Sequence, residues 1–476
     1  MNDRIPKFIA IGGMGLGIVL LLVVAALQPE YFTSQRYLVG LLGAECLIAA
    51  VWSYKRAFFP VFIATFLLAG LNLPIGSLGT VGRWLVLGLG ALVGTMIMLK
   101  EQRLHFGAFH LLALFSVLAA MVSAAVSRYT LQSSMKVLSL FLLFLYAATG
   151  GRLAVSGREN RFFSGLLAGC EIFVAVIAVC YLSGKQILGS PNSLGAAMGV
   201  AAAPILLWGT LLKQDAFAHR RRTFFFAVAM YLTFASQARA ALLAVVISCG
   251  LSCLVLGKYR LLAQGVGIIA IVAAFTAIVK PDAFSNMISS ATSAVVYKGK
   301  DPGGGIMASR QSPWQATVDA IRGHFWFGTG FGTSDNGDVD SAQLGKFSST
   351  TAISAEHGSG YLAIISWVGV LGVAPFLLLV SMVLWKVLQT VIWMFRTRDP
   401  AHAAVPLAMV VLAGLIHTGF EDWLFAPGYY LCVFFWSMAF VLVDQVPSLA
   451  LPEWRSVIVM RRRMIQSDLR AVAPNR

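Results

Sequence analysis

Residues 361–385 read YLAIISWVGVLGVAPFLLLVSMVLW, a stretch of 25 residues without one charged side chain. At about 1.5 Å of rise per residue, such a helix is about 37 Å long, enough to cross the roughly 30 Å hydrocarbon core of a bilayer. Similar apolar windows predict spanning helices near residues 8–27, 37–54, 57–75, 81–99, 107–127, 133–150, 161–183, 194–213, 223–238, 240–257, 259–279, 403–420 and 425–443. The sequence therefore predicts an all-α polytopic membrane protein with about 12–14 transmembrane helices.

The composition favours the same fold class. Hydrophobic residues make up 58% of the 476 residues and charged residues only 12%, whereas soluble domains carry about 25% charged residues. A net charge of +16 alone would also suit nucleic-acid binding. With the N-terminus in the cytoplasm, however, 24 of the 36 lysines and arginines fall on the cytoplasmic side, as the positive-inside rule requires. The charge thus indicates topology and contact with membrane lipids, above all by Arg461–Arg463, and no nucleic-acid partner.

No convincing internal repeat divides the chain, and this argues against transporter folds built from repeats. We expect one membrane domain over 1–476, with both termini cytoplasmic, a large outer loop at 281–360 and a basic cytoplasmic tail at 444–476. Two short surface helices are predicted in the loop, one over Asp282–Val296 and one beginning at Ser312 and ending at Gly323. In the second, Ser312 fits an N-cap and Pro313 the first helical position.

Two arginines are candidates for binding an anion. Arg310 directly precedes the predicted second surface helix, where free backbone N–H groups favour a phosphate. Arg239 lies at the outer edge of the membrane, where it is either a snorkelling side chain or a ligand for phosphate oxygens. Lys185 and Arg322 can add to the same positive field.

Other polar residues leave two interpretations each. His357, preceded by Glu356, is either a general base at the membrane surface or a solvated loop histidine. Glu45 and Glu171, near mid-bilayer, are either functional carboxylates or carboxyl groups paired within the bundle. A last group either lines the same cavity as the loop or forms an ordinary polar turn: His417, Glu421 and Asp422.

Glycine and acidic motifs in the loop fit neither nucleotide nor metal binding. Gly328–Gly332 lacks the Lys-Ser/Thr of a phosphate-binding P-loop and fits a tight turn better. Asp335–Asp340 misses the EF-hand spacing and its downstream glutamate. We therefore predict no metal site and no cofactor.

Four motifs in sequence order resemble the O-antigen ligase and polymerase family, over roughly residues 185–385 and with a weaker match at Glu421. The first motif is Ser190-Pro191-Asn192-Ser193-Leu194-Gly195, and the second is Arg239 with Leu243. The third combines Arg310 and Trp314 with the Gly328–Gly332 turn. The fourth is His357-Gly358-Ser359-Gly360-Tyr361-Leu362, in which Gly358 stands where the family usually has Asn, Ser or Gln.

The resemblance implies a GT-C-like membrane glycosyltransferase of the bacterial inner membrane. Its donor would be a glycan on undecaprenyl diphosphate, transferred at the periplasmic face without a nucleotide sugar or an obligatory metal. The acceptor would be the lipid A core in a ligase or a second lipid-linked glycan in a polymerase, with a chain-length regulator as a further candidate partner. Arg239, Arg310 and His357 would be catalytic, and the residues implied in substrate binding are Asn192, Lys185, Trp314, Arg322, Glu356, Tyr361 and Glu421.

Two other classes of function compete with an enzyme. A transporter or flippase for lipid-linked glycan predicts a cavity through the bilayer lined by Glu45 and Glu171. A non-catalytic scaffold for envelope assembly predicts dispersed polar side chains. An enzyme predicts that Arg239, Arg310 and His357 converge within about 10 Å, the scale of one diphosphate-sugar site.

Overall fold

The computed structural model describes residues 58–70, 76–101, 106–184, 187–188, 190–212, 215–264, 267, 308–334 and 357–447. These residues are 81% helical and include no strand, which confirms the all-α polytopic class. Six of their helices are long and apolar enough to cross a membrane. The predicted spans 8–27 and 37–54, most of 259–279, the surface helix Asp282–Val296 and nearly all of the tail lie outside the described residues, so the total helix count stays a prediction.

The helices follow the predicted apolar windows closely. In chain order they are α1 Phe58–Ala69, α2 Gly76–Glu101, α3 Ala108–Val126, α4 Thr130–Val155, α5 Glu159–Leu182, α6 Pro191–Leu211, α7 Ala216–Ala235, α8 Arg239–Val255, α9 Ala308–Gly323, α10 Gly360–Thr397, α11 Ala404–His417 and α12 Tyr430–Gln445. Two of them contain a π-helical turn, at Ala147–Gly151 in α4 and at Ala197–Ala202 in α6.

Several helix boundaries differ from the sequence prediction, among them those of α7, α10 and α12. α10 runs for 38 residues, and its backbone breaks at Gly369, where φ is 67°. α7 begins at Ala216, seven residues before the predicted span 223–238. Arg220–Arg222, which were expected in a loop, therefore lie in the first turns of this helix. α12 begins five residues after the predicted start of the last span, since residues 418–429 form a tightly bonded turn instead of helix.

α6 lies at the centre of the bundle and is almost entirely buried. α5, by contrast, leaves Ile172, Val179 and Leu182 more than half exposed. Large apolar side chains on the outer surface are unfavourable in water but suit a helix that faces hydrocarbon. The burial pattern is therefore that of a bundle within lipid.

Contacts between helix ends define two faces of the bundle, which we name after the two ends of α12. At the Tyr430 face, the Tyr430 hydroxyl donates to the Ser193 carbonyl over 2.7 Å. At the Asp444 face, the Asp444 carboxylate accepts two hydrogen bonds from Arg152, at 2.5 and 2.7 Å. The residues that meet in the candidate site lie at the Tyr430 face: Asn192, Arg239, Arg310, His357, Glu421 and Asp422.

Candidate active site

The start of α6 places Asn192 at the Tyr430 face. The Ser190 hydroxyl accepts the Ser193 N–H over 3.2 Å, and Pro191 occupies the first helical turn, so α6 begins three residues before the predicted span 194–213. Gly195 lies against Ser236 and Ala238 so closely that a Cβ atom there would collide with both. The missing side chain therefore lets α6 approach the turn that leads into α8.

That turn fixes Arg239. The Ser236 hydroxyl accepts the Ala238 N–H over 3.3 Å and donates to the Thr233 carbonyl over 2.7 Å. Gln237 has a φ of 54°, a left-handed conformation that is uncommon outside glycine and often marks functional sites. Arg239 is then the first residue of α8, and its side chain is half-buried.

α9 begins earlier than predicted, and this corrects the expected position of Arg310. Ser312 is not an N-cap, because the helix already starts at Ala308 and contains Pro313. Arg310 therefore lies within the first turn and not ahead of it. The predicted end at Gly323 is confirmed.

Arg310 and Asn192 meet at one carboxylate. The Arg310 Nη2 forms an ion pair with Glu421 Oε1, and the Asn192 Nδ2 lies 3.5 Å from the same oxygen. Arg239 is close enough to Arg310 for their like charges to interact. Residues far apart in sequence, from α6, α8, α9 and the turn after α11, thus come together at the Tyr430 face.

α9 and the turn after α11 hold the segment that carries His357. The Trp314 indole N–H donates to the Gly358 carbonyl over 3.0 Å, and the Thr317 hydroxyl reaches the His357 carbonyl at 3.4 Å. Gly358 has a φ of 67°, and a Cβ atom there would lie only 3.0 Å from the Trp314 ring. Gly358, which stands where the family usually has Asn, Ser or Gln, therefore suits this left-handed turn.

Asp422 is the immediate neighbour of the His357 ring. Its Oδ2 accepts the His357 backbone N–H over 3.0 Å and lies 3.5 Å from the ring Nδ1, too long for a strong hydrogen bond. The His357 side chain is only 4% exposed and packs edge-on against Trp367, with 5.4 Å between the ring centres. His357 is thus a buried histidine beside a carboxylate, and not a solvated loop residue.

The pKa of Asp422 reflects this contact. Burial acts to raise the pKa of the carboxyl, but the contacts with the His357 ring and backbone N–H outweigh it, so the pKa lies below its ordinary value of 3.8. Asp422 is therefore an anion at neutral pH, next to Glu421, whose carboxylate pairs with Arg310. Of these two adjacent carboxylates, Glu421 therefore contacts Arg310, and Asp422 contacts His357.

The turn between α11 and α12 is fixed from within. The Trp423 indole N–H donates to His417 Nδ1 over 2.7 Å, which makes His417 a buried structural residue. The Thr418 hydroxyl donates to the Glu421 carbonyl over 3.1 Å, and the Thr418 carbonyl accepts the Gly360 N–H over 2.8 Å. These bonds join the turn to the start of α10 directly after His357.

Two of the predicted substrate-binding residues have other contacts. The Tyr361 hydroxyl donates to the Leu415 carbonyl over 2.8 Å and so ties α10 to α11. Arg322 is 74% exposed and lies 3.5 Å from Asp319 on its own helix. Twelve residues separate it from Arg310 on α9, about 18 Å along the axis. Lys185, Glu356 and Glu45 lie outside the described residues.

Glu171 has the bundle-paired environment that was one of its two interpretations. Its carboxylate oxygens lie 3.1 Å from Arg221 Nε and 3.6 Å from Arg222 Nε, both on α7. A charge pair between neighbouring helices explains a buried glutamate without a transport pathway.

The Gly328–Gly332 segment is a tight turn, as predicted. Gly328, Gly330 and Gly332 all have positive φ, at 74°, 108° and 72°. The Thr329 and Gly330 N–H groups donate to the carbonyls of Ser366 and Trp367 in α10, over 2.9 and 3.1 Å. The turn therefore supports the helix that follows His357 and contributes no phosphate cradle.

Asp422 is a functional candidate to which the sequence assigned no role. The sequence left open whether it lines a cavity shared with the loop or belongs to an ordinary polar turn. An acidic pair, Glu421-Asp422, directly after an apolar helix is the one signal for it in the sequence. Within the described ranges, no three His, Cys, Asp or Glu side chains are grouped so that they could hold a metal ion.

Comparison with known proteins gives one match. A search of curated proteins finds no match. The family model Wzy_C, described as O-antigen ligase, matches residues 223–377, about a third of the chain and the part that contains Arg239, Arg310 and His357. The match confirms the resemblance drawn from the motifs, and over residues 223–377 this chain is similar to the O-antigen ligase family.

Proposed function

We propose that this protein transfers an oligosaccharide or polysaccharide from undecaprenyl diphosphate to an acceptor at the periplasmic face of the bacterial inner membrane. The observation that carries the proposal is the meeting of Arg239 and Arg310 beside Asn192 and Glu421, with His357 held by the adjacent Asp422. The match of residues 223–377 to the O-antigen ligase model supports a ligase-type or polymerase-type membrane glycosyltransferase.

The two arginines suit the leaving group. Arg310 pairs with the Glu421 carboxylate, and Arg239 lies close enough to Arg310 for their like charges to interact. A diphosphate carries negative charge on several oxygens, and guanidinium forks match those oxygens in pairs. As the bond from the anomeric carbon to the diphosphate oxygen breaks, negative charge grows there. Arg239 and Arg310 would stabilise that charge, a task that a divalent cation performs in other enzymes.

His357 suits the acceptor side of the reaction. The acceptor hydroxyl oxygen forms the new bond to the anomeric carbon, and its proton passes to the His357 imidazole. The imidazolium that results lies beside the Asp422 carboxylate, with Nδ1 and Oδ2 3.5 Å apart. Asp422 also accepts the backbone N–H of His357, so it positions the base and stabilises its charged form.

The remaining residues suit positioning. Asn192 and Glu421 orient Arg310, and Trp314 holds the His357 turn through the Gly358 carbonyl. Among the described residues, the pairing of Glu171 with α7 gives no support to the transporter alternative. The acceptor is the lipid A core or a second lipid-linked glycan, and a chain-length regulator would be a partner in the second case.

The experiment is glycan analysis of a deletion strain that expresses Arg239→Ala, Arg310→Ala or His357→Ala. We expect each variant to lose transfer while the protein remains in the membrane. Accumulated undecaprenyl-linked polymer would identify a ligase, and accumulated single repeats would identify a polymerase. Normal glycan in all three strains would refute the enzymatic assignment.

A further inference from the structure

A large apolar cavity lies between α1, α5, α6 and α12, and its lining includes none of the candidate active-site residues. Its volume is about 980 Å³, at the upper end of the roughly 300–1,000 Å³ range of small-molecule sites. Aliphatic and small side chains line it together with four phenylalanines, Phe59, Phe162, Phe173 and Phe434. The π-helical turn of α6 borders it as well, through Ala197 and Ala201.

The cavity extends between the two faces of the bundle. Tyr430 lines it near one face, and Arg158 and Arg161 line it at the start of α5, near the other. From Arg158 to Phe173 the chain advances fifteen residues along α5, about 22 Å of helix axis. An occupant with one extended apolar chain therefore fits the length of the cavity.

Its two arginines give the cavity a charged end. Arg158 and Arg161 are both exposed, and neither guanidinium has an ion pair with any carboxylate in the part of the chain that the structure describes. The nearby Glu159 accepts the Gly157 N–H over 3.0 Å. Two unpaired cations at the mouth of an apolar cavity are complementary to an amphiphile with an anionic head.

We propose that this cavity binds an anionic phospholipid from the leaflet at the Asp444 face. Its phosphate would bind Arg158 and Arg161, and one acyl chain would lie along Phe162 and Phe173. Basic pockets between transmembrane helices bind anionic headgroups in this way. The donor lipid fits less well, because its diphosphate belongs at Arg239 and Arg310, on the Tyr430 face, and would leave Arg158 and Arg161 without an anion.

Lipid titration of the purified full-length protein tests the charged end. Phosphatidylglycerol added to the detergent solution should raise the unfolding temperature, and phosphatidylcholine should not. In the double variant Arg158→Gln/Arg161→Gln, the apparent affinity for phosphatidylglycerol should fall about thirtyfold, since each arginine contributes about fivefold. The control Arg260→Gln/Arg396→Gln removes two exposed arginines from the same face, outside the cavity, and should bind as the wild type does.

Filling the cavity tests the apolar part. A Cβ atom at Gly169 meets nothing within 4 Å, so Gly169→Leu places its side chain in the cavity without a backbone clash. This variant should lose phosphatidylglycerol binding, whereas Gly250→Leu, equally unhindered but away from the cavity, should keep it. Equal stabilisation by phosphatidylcholine, unchanged affinity in either cavity variant, or binding of undecaprenyl phosphate alone would overturn the proposal.

Discussion

Replacing Asp422 by asparagine separates the charge of this residue from its hydrogen bond. The amide oxygen of Asp422→Asn can still accept the His357 N–H, so the turn should fold as before. The negative charge 3.5 Å from His357 Nδ1 is lost. At that distance, a carboxylate and an imidazolium attract by about 4.7 kcal/mol at an effective dielectric constant of about 20, and by about 1.2 kcal/mol at about 80.

These limits give the expected effect on catalysis. Because about 1.36 kcal/mol changes a rate tenfold, kcat should fall by between about sevenfold and about three thousandfold. The Asp422 side chain is 31% exposed, and solvent screening therefore places the expected loss at roughly ten- to hundredfold. KM for the donor should change little, because Asp422 acts on the charge that appears only in the transition state.

The assay follows release of undecaprenyl diphosphate from a purified lipid-linked donor with acceptor in excess. Asp319→Asn is the matched control, since it makes the same chemical change at an exposed carboxylate of α9. A kcat for Asp422→Asn within twofold of wild type, with His357→Ala inactive, would refute the stabilisation of the base by Asp422.

Three further predictions concern the turn and the bundle. Gly358→Ala forces a side chain into a left-handed conformation against Trp314 and should lower the unfolding free energy by about 1–2 kcal/mol in denaturant titration; an unchanged midpoint would contradict the packing described. The pKa of Asp422 in the folded protein lies below 3.8. Its hydrogen bond to the His357 N–H should therefore protect that amide from hydrogen exchange above pH 4, and the protection should weaken only as the pH falls through the folded pKa. Loss of protection already at pH 5 would contradict this. Glu171→Gln should keep glycan transfer within about twofold, because its carboxylate pairs with arginines of α7; abolished transfer would instead favour the transporter.

Sequence periodicity was sufficient for most of the fold. Apolar windows such as 361–385 predict the helices, whereas the cap at Ser190, which starts α6 three residues before its window, was not predicted. The predicted start of α9 was wrong because Pro313 suits a first helical position by its own preferences, whereas this helix begins at Ala308 and continues through Pro313. The length of α10 was underestimated because Lys386 ends the apolar window but not the helix.

The site was predictable as a set of residues but not as a set of contacts. Arginines and a histidine in an apolar chain stand out, so Arg239, Arg310 and His357 could be proposed as candidates. The partner of Arg310 lies 111 residues away in sequence, at Glu421. Which of the two carboxylates contacts Arg310 and which contacts His357 depends on how the turn after α11 folds. Such long-range pairings have no signature in local sequence.

The central claim is that Arg239, Arg310 and His357 form one site for transfer from a lipid diphosphate. The most direct measurement is single-turnover release of undecaprenyl diphosphate by the purified protein in the presence of a chelator. The control variant is Arg128→Ala, which removes an exposed arginine at the Tyr430 face and should react at the wild-type rate. The reaction should be at least about a hundredfold slower in each of Arg239→Ala, Arg310→Ala and His357→Ala. Full release rates in all three variants would contradict the claim.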